Sequence, residues 1–210
     1  MGRFHPFHCA FLGGIIFAMP SVAAAIDLEP YGSLYGGLSL LEDADAGLGS
    51  LEAEFDPGFV VGATYGARVV DAFTARLELD LSYRRHEIED IGNVSGGGDV
   101  NTFGALGNFW LDFINTTSFT PYVGGGLGLA YIDLNDVELA GADLVDDEDL
   151  VFAWQLGAGV GWEVSSNVTI GLDYRWFATA DPEFENTAGS DFDSEYSSHN
   201  FMASVRYGFW

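Results

Sequence analysis

The sequence contains no lysine, and its seven basic residues are arginines set against 32 aspartates and glutamates. The formal net charge is -25 at pH 7. Nucleic-acid-binding proteins need clustered basic residues because they neutralise a phosphate backbone, and this chain would repel one. We therefore exclude nucleic acid as a partner. The same acidic surface is expected to attract cations, basic proteins or basic peptides.

Cysteine is almost absent, since Cys9 is the only one, and it lies in an N-terminal stretch of unusual composition. That stretch has Arg3 near its start, an apolar run from Cys9 to Met19, and three alanines at 23–25. This layout is typical of a secretory signal peptide, residues 1–25, cleaved after Ala25. Residues 26–210 are then predicted to form one domain without a thiol, a disulfide, a cysteine-bound metal or any other cofactor.

Long hydrophobic runs are missing as well. The N-terminal run stops at Pro20, short of the roughly 18–20 residues that a membrane-spanning helix needs, and no later run reaches that length. Even so, 48% of the residues are hydrophobic, 15% are aromatic and 28 are glycines. Glycine is a poor helix former, whereas aromatic residues favour strands. The composition therefore favours a protein made of many close-packed strands.

Alternating residues along the chain predict eight amphipathic strands. In the stretch 150–164 one face is wholly apolar and carries Phe152 and Trp162, while the other face has three glycines, Gln155 and Glu163. The eight predicted strands cover about 30–41, 57–69, 73–85, 100–113, 119–132, 150–164, 168–180 and 197–209.

The direction of the apolar face separates a soluble barrel from a membrane barrel. A soluble, lipocalin-like barrel would bury its bulky face inside, but the opposite face here is too small to form a surface toward water. A barrel with apolar residues facing lipid and small or charged residues inside fits better. Phe152 and Trp162 would then stand about 25 Å apart along the barrel axis, which matches an outer-membrane apolar band between aromatic girdles.

The connections between the predicted strands alternate strictly between short and long. The short ones lie around 70–72, 114–118 and 165–167, and the long ones at 42–56, 86–99, 133–149 and 181–196. This alternation predicts an all-β fold, an eight-stranded antiparallel up-and-down transmembrane β-barrel, with short turns in the periplasm and long loops outside. Three-quarters of the acidic residues fall in the long connections, which contain no arginine. We expect four acidic extracellular loops.

Charged residues on the small face of the strands are predicted to line the lumen. Because an unpaired buried charge is costly, we expect these five arginines and five carboxylates to pair and plug the barrel. A narrow conducting channel is the alternative, since glycines on the strands 119–132 and 150–164 leave space inside. The lumenal candidates are Arg68, Arg76, Glu78, Asp80, Arg84, Asp112, Glu163, Asp173, Arg175 and Arg206.

Two further groups of residues are candidates for a functional site. The connection 133–149 is rich in hard oxygen ligands but lacks the spacing of an EF-hand, so it supports only a weak cation-site hypothesis and no committed metal site. Its candidate ligands are Asp133, Asp136, Glu138, Asp146 and Asp147. His199 lies beside Ser197 and Ser198, but no third residue at suitable spacing completes a catalytic group, so we do not expect an enzyme.

The signal peptide, the eight strands, the stretch "PYVGGGLGLAYI" at 121–132 and "VRYGF" at 205–209 resemble the OmpA-like transmembrane barrels, and among them the opacity-type, porin-like small outer-membrane barrels. The resemblance implies a Gram-negative outer-membrane location, in contact with membrane lipid and lipopolysaccharide. It also implies that the barrel-assembly machinery recognises the aromatic residues of the last strand, Tyr207 and Phe209. Trp210 lies one residue beyond the usual pattern.

The expected role is structural or surface-interactive, through the four acidic loops. One alternative is a small porin that passes ions or small solutes. A lesser alternative is a lipid A-modifying enzyme.

Overall fold

The computed structural model describes residues 28–42, 53–70, 74–91, 94–139, 142–180, 183–185, 191–193 and 196–210. The predicted signal peptide, residues 1–25, lies outside the described residues. No helix in the described part of the chain is long and apolar enough to cross a membrane.

Eleven strands make up the described secondary structure. Their bounds are β1 Leu28–Leu41, β2 Ala53–Phe55, β3 Gly58–Val70, β4 Thr74–Ile91, β5 Val94–Asp112, β6 Phe119–Leu139, β7 Ala142–Glu163, β8 Val168–Thr179, β9 Glu183–Glu185, β10 Asp191–Asp193 and β11 Ser197–Gly208.

Eight of these strands close into one antiparallel barrel, as predicted. Each strand pairs with its neighbours in the order β1-β3-β4-β5-β6-β7-β8-β11, and β11 pairs back onto β1 with Leu34 opposite Val205. Closure leaves none of these strands with a free edge, which is the condition for placing strands in lipid, where unpaired backbone groups are not hydrated. The fold class predicted from the sequence is confirmed.

Two of the predicted long loops are instead largely strand. β4 and β5 continue through most of 86–99, and β6 and β7 continue through most of 133–149, so each pair extends beyond the barrel as a hairpin. The prediction of these four strand ends was wrong for a physical reason. Unbroken apolar alternation marks only the part of a strand that faces lipid, whereas backbone pairing continues through most of 86–99 and 133–149, where acidic residues interrupt the alternation.

The outer wall of the barrel is apolar and the inner wall is polar. Leu34, Leu127 and Leu172 are each more than 60% exposed, whereas Arg76 and Arg84 are each 2% exposed. This is the reverse of a soluble barrel and overturns the lipocalin-like alternative.

Aromatic residues mark both ends of the apolar wall. Near the short turns, Phe119 and Trp162 stack with ring centroids 6.1 Å apart. At the opposite end Tyr83 contacts Phe59 and Phe103, at centroid distances of 5.9 and 4.8 Å. Two such girdles are typical of the lipid interfaces of an outer-membrane barrel.

Candidate functional site: the lumen of the barrel

The part of the lumen nearer the short turns is built around Arg76, which projects inward from β4. Its Nη1 donates to Glu78 Oε1 and its Nε to Asp112 Oδ1, each at 2.9 Å. All three side chains are at most 5% exposed. Glu78 lies two residues from Arg76 on the same strand, so both side chains face the lumen. Asp112 is the last residue of the neighbouring strand β5, and the register of the two strands brings it close to Arg76. Arg76 thus bridges two carboxylates.

A second cluster lies deeper and is centred on Arg175 of β8. Its Nη1 donates to Asp80 Oδ2 at 2.6 Å, and its Nη2 lies 3.8 Å from Asp173 Oδ1. Asp80 comes from β4 on the opposite side of the barrel. The ion pair therefore crosses the lumen and links two walls that are not adjacent in the sheet.

Tyrosines complete both clusters by donating to the carboxylates. Tyr31 donates to Glu78 at 2.5 Å, Tyr35 to Asp80 at 2.7 Å and Tyr122 to Asp173 at 2.5 Å. Sequence reasoning missed these three tyrosines because it assigned bulky aromatic residues to the lipid face. The sequence did contain a signal for their position. Each tyrosine is an even number of residues from small inward-facing residues of its own strand, so its side chain should also face inward.

Trp110 fills the space between the two clusters. Its indole Nε1 donates to Glu78 Oε2 at 2.9 Å, and the guanidinium of Arg175 lies 5.1 Å from its ring centroid. Glycines give these large side chains room. A Cβ on Gly157 would lie 3.1 Å from Trp110, and one on Gly159 would lie 2.6 Å from the Tyr122 ring. The small residues of β7 thus face the large residues of β5 and β6.

Arg84 differs from the other buried arginines, because its described neighbours include no carboxylate partner. It donates to Ser82 at 2.9 Å and to Asn200 at 3.3 Å, and it lies 3.9 Å above the Phe177 ring. The expectation that all the lumenal charges pair is therefore wrong at this position. Neutral donors, acceptors and a ring face replace the ion pair there.

Beyond Arg84, at the end away from the short turns, buried apolar side chains form a cluster in the lumen, which we call the apolar cap. The cap is a single cluster of buried side chains contributed by β5, β6, β7, β8 and the residue before β11. Its members are Val100, Leu106, Ala130, Ile132, Val151, Ala153, Phe177 and Tyr196. Polar side chains thus occupy the middle of the lumen, and apolar side chains occupy this end.

The remaining lumenal candidates lie near the short turns. Arg68 pairs with Glu29, with Nη2 and Oε2 2.5 Å apart, a partner that the sequence did not reveal. Arg206 lies 5.2 Å from the Tyr31 ring and pairs with no described carboxylate. Glu163 is exposed.

His199 lies on the outer wall and is joined there by residues distant in sequence. Tyr174 Oη lies 2.7 Å from its Nδ1, and Glu42 Oε1 lies 2.6 Å from its Nε2. Ser197 donates to Glu42 and not to His199. These hydrogen bonds from Ser197 and His199 hold the pKa of Glu42 below its usual value. The spacing of residues in the sequence could not identify Glu42 as a partner of His199, because the two residues meet only when β1 pairs with β11.

The last strand carries the predicted assembly residues. Tyr207 and Phe209 are half exposed on the outer wall, with ring centroids 5.6 Å apart. Trp210 instead turns toward the lumen mouth, where its ring lies 5.0 Å from the guanidinium of Arg68. Its carbonyl oxygen accepts a hydrogen bond from Asn167 at 2.7 Å. Trp210 is thus out of phase with the two preceding aromatics.

The suggested cation ligands are only partly described. Asp133 lies on β6 opposite Glu148 on β7. The side chains of Asp136, Glu138, Asp146 and Asp147 lie outside the described residues. The weak cation site stays a prediction.

Comparison with known proteins agrees with this architecture. The family model described as outer membrane protein beta-barrel domain matches residues 9–209. The chain belongs to this outer-membrane β-barrel family. It is 28% identical over 177 residues to the outer membrane protein PagN of Salmonella typhimurium, covering 70% of this chain and 72% of PagN. An uncharacterized protein of Brucella abortus is 23% identical over 195 residues, covering 70% of this chain and 69% of that protein.

Solved structures show the same fold. The crystal structure of Neisserial surface protein A matches with a TM-score of 0.54 and 21% identity, covering 85% of this chain and 96% of that one. The resemblance to small OmpA-like and opacity-type barrels is confirmed. The protein is an outer-membrane β-barrel protein.

Proposed function

We propose that this barrel is a sealed, non-catalytic outer-membrane protein that acts at the cell surface through its acidic outer segments. The filled lumen is the observation that carries the proposal. Arg76 is held in ion pairs along one wall of the lumen, Arg175 is held in an ion pair that crosses the lumen, and an apolar cap lies beyond them. Water and ions would have to displace both layers to pass, so the porin alternative has less support than a plugged barrel.

The surface role is argued from the distribution of charge. The four stretches 42–56, 86–99, 133–149 and 181–196 hold three-quarters of the acidic residues and no arginine or lysine. Two of these stretches extend the barrel as hairpins. A dense negative field at the outer end attracts cations and basic surfaces. In this proposal the wall contacts membrane lipid and lipopolysaccharide, and the barrel-assembly machinery inserts the chain after export and removal of its signal peptide.

The first test is electrical. The protein, refolded in detergent and checked by a heat-dependent gel shift, is expected to give no discrete current steps in a planar lipid bilayer. A double variant, Trp110→Ala with Phe177→Ala, removes one large buried aromatic ring from the polar layer and one from the apolar cap and should conduct intermittently. Reproducible steps from the native protein would contradict the sealed barrel and favour the porin.

The second test addresses the outer segments. Replacing Asp143, Asp146 and Asp147 by asparagine should weaken binding of a polylysine peptide about tenfold at low salt, because each exposed ion pair contributes about 0.2–1 kcal/mol. Binding is measured by calorimetry on the barrel in detergent, and the effect should shrink as salt is added. The matched control replaces the same three residues by glutamate and should bind like the native protein. Equal binding by the asparagine variant would refute a role for these charges.

A further inference from the structure

A polar cavity of about 90 Å³ opens at the end of the lumen next to the short turns. We call it the mouth cavity, defined by Arg68, Arg206, Glu163 and Thr169, which also line a smaller adjoining space. The remaining wall includes the polar side chains of Thr120 and Asn115 and the carboxylate of Asp112, which is already paired with Arg76. In a barrel whose short turns face the periplasm, the mouth cavity faces the periplasm.

The two arginines of the mouth cavity differ in their electrostatic surroundings. Arg68 is neutralised by Glu29 at 2.5 Å. Arg206 is half-buried and pairs with no carboxylate among the described residues. Its guanidinium lies 5.2 Å from the Tyr31 ring and 5.9 Å from the Tyr122 ring. Ring faces stabilise the cation but leave its N–H donors unused.

Glu163 is the negative counterpart on the other side of the same cavity. No side-chain hydrogen bond or ion pair joins it to the described part of the chain. Thr169 of β8 lies between them in the sheet, because it pairs with Arg206 on one side and with Glu163 on the other. Adjacent strands are about 4.8 Å apart, so the two charged residues start roughly 10 Å from each other. No ion pair joins the two side chains, and both line the cavity, which therefore has a cation on one wall and an anion on the other.

We propose that the mouth cavity binds a small zwitterion with the head group of an α-amino acid. The ligand carboxylate accepts hydrogen bonds from Arg206, and its ammonium group donates to Glu163. Thr169 and Thr120 offer hydroxyl groups between the two. A simple anion would be repelled by Glu163 and would leave its charge unneutralised. A simple cation would be repelled by Arg206 and would leave that charge unneutralised. The occupant is a free amino acid, or a residue of a cell-wall peptide that keeps one amino group and one carboxylate free on the same carbon.

The test is a titration of the ¹⁵N-labelled, refolded barrel in detergent with glycine, followed by the amide signals of Gly161, Thr169 and Arg206. We expect saturable shifts with glycine, and at least about tenfold weaker binding of acetate or methylammonium alone. Arg206→Gln and Glu163→Gln should each weaken glycine binding by about tenfold or more. Arg85→Gln changes an arginine on the outer wall and should leave binding unchanged.

Two results would overturn the proposal. One is the absence of saturable shifts with glycine. The other is equal glycine binding by the native protein and a doubly substituted Arg206→Gln, Glu163→Gln variant that still shows the heat-dependent gel shift. Thr169→Val, which keeps both charges, provides a second variant and should weaken glycine binding less than either charge removal.

The two sources of the ligand are separated by sedimentation with purified cell-wall sacculi. Co-sedimentation of the barrel that excess glycine abolishes assigns a residue of a cell-wall peptide as the occupant. Glycine binding without co-sedimentation assigns a free amino acid. Neither outcome depends on whether the barrel conducts or on what the outer segments bind.

Discussion

Replacing Arg175 by methionine is expected to destabilise the folded barrel by about 3–5 kcal/mol. The side chain is buried, and its removal leaves the carboxylates of Asp80 and Asp173 in the lumen without their cation. Methionine retains much of the volume of the arginine side chain. The loss of stability therefore results mainly from the uncompensated charges and only to a small extent from a cavity. The measurement is urea unfolding of the protein in lipid bilayers, followed by tryptophan fluorescence and by the heat-dependent gel shift.

Arg85→Met is the matched control, because Arg85 also pairs with an aspartate, at 2.8 Å from Asp99, but its side chain is 41% exposed on the outer wall. Its loss should cost no more than about 1 kcal/mol. Adding Asp80→Asn and Asp173→Asn to Arg175→Met should recover part of the stability, since no charge is then left unpaired at this point. If Arg175→Met costs no more than Arg85→Met, the lumen is hydrated and the sealed barrel is refuted.

Replacing Gly128 by valine is expected to destabilise the barrel by about 3 kcal/mol or to prevent folding. A Cβ at this position would lie 2.1 Å from the carbonyl oxygen of Ala105 and 2.6 Å from the Cα of Leu106. These are backbone atoms of the neighbouring strand β5, so the clash cannot be relieved by turning a side chain. Relief requires β5 and β6 to move apart. Unfolding in urea and the yield of heat-shifted protein measure the effect.

Gly107→Val provides the comparison on the lipid side of the same region. The nearest atom to a Cβ on Gly107 is the carbonyl oxygen of Leu127, at 3.9 Å, which is ordinary contact. Valine favours strands, so this variant should be as stable as the native protein or slightly more so. Equal destabilisation by the two substitutions would show that close packing inside the barrel is not the reason why valine is unfavourable at position 128.

The sequence predicted the barrel well because lipid imposes a simple pattern. A strand with lipid on one side must alternate, as Phe152 and Trp162 do against Gln155 and Glu163, and the spacing of the short turns then orders the strands. The same reasoning placed Arg76 and Arg175 inside, where the structure has them buried. It did not predict the hairpin extensions, because acidic residues there interrupt the apolar alternation although the backbone pairing continues.

The sequence by itself determined the number of barrel strands, the inward position of Arg76 and Arg175 and the concentration of acidic residues between the strands, since each depends on residues close together in the chain. Only the tertiary structure decided the partners. Asp80 meets Arg175, and Glu42 meets His199, only after the barrel has closed. Glu29 meets Arg68 because the two residues are opposite each other where β1 pairs with β3. The register of β7, β8 and β11 places Arg206 and Glu163 on either side of Thr169. Whether a residue has an odd or even position along a strand determines whether its side chain faces the lumen or the lipid. The contacts inside the barrel depend instead on register and curvature, which bring distant strands face to face.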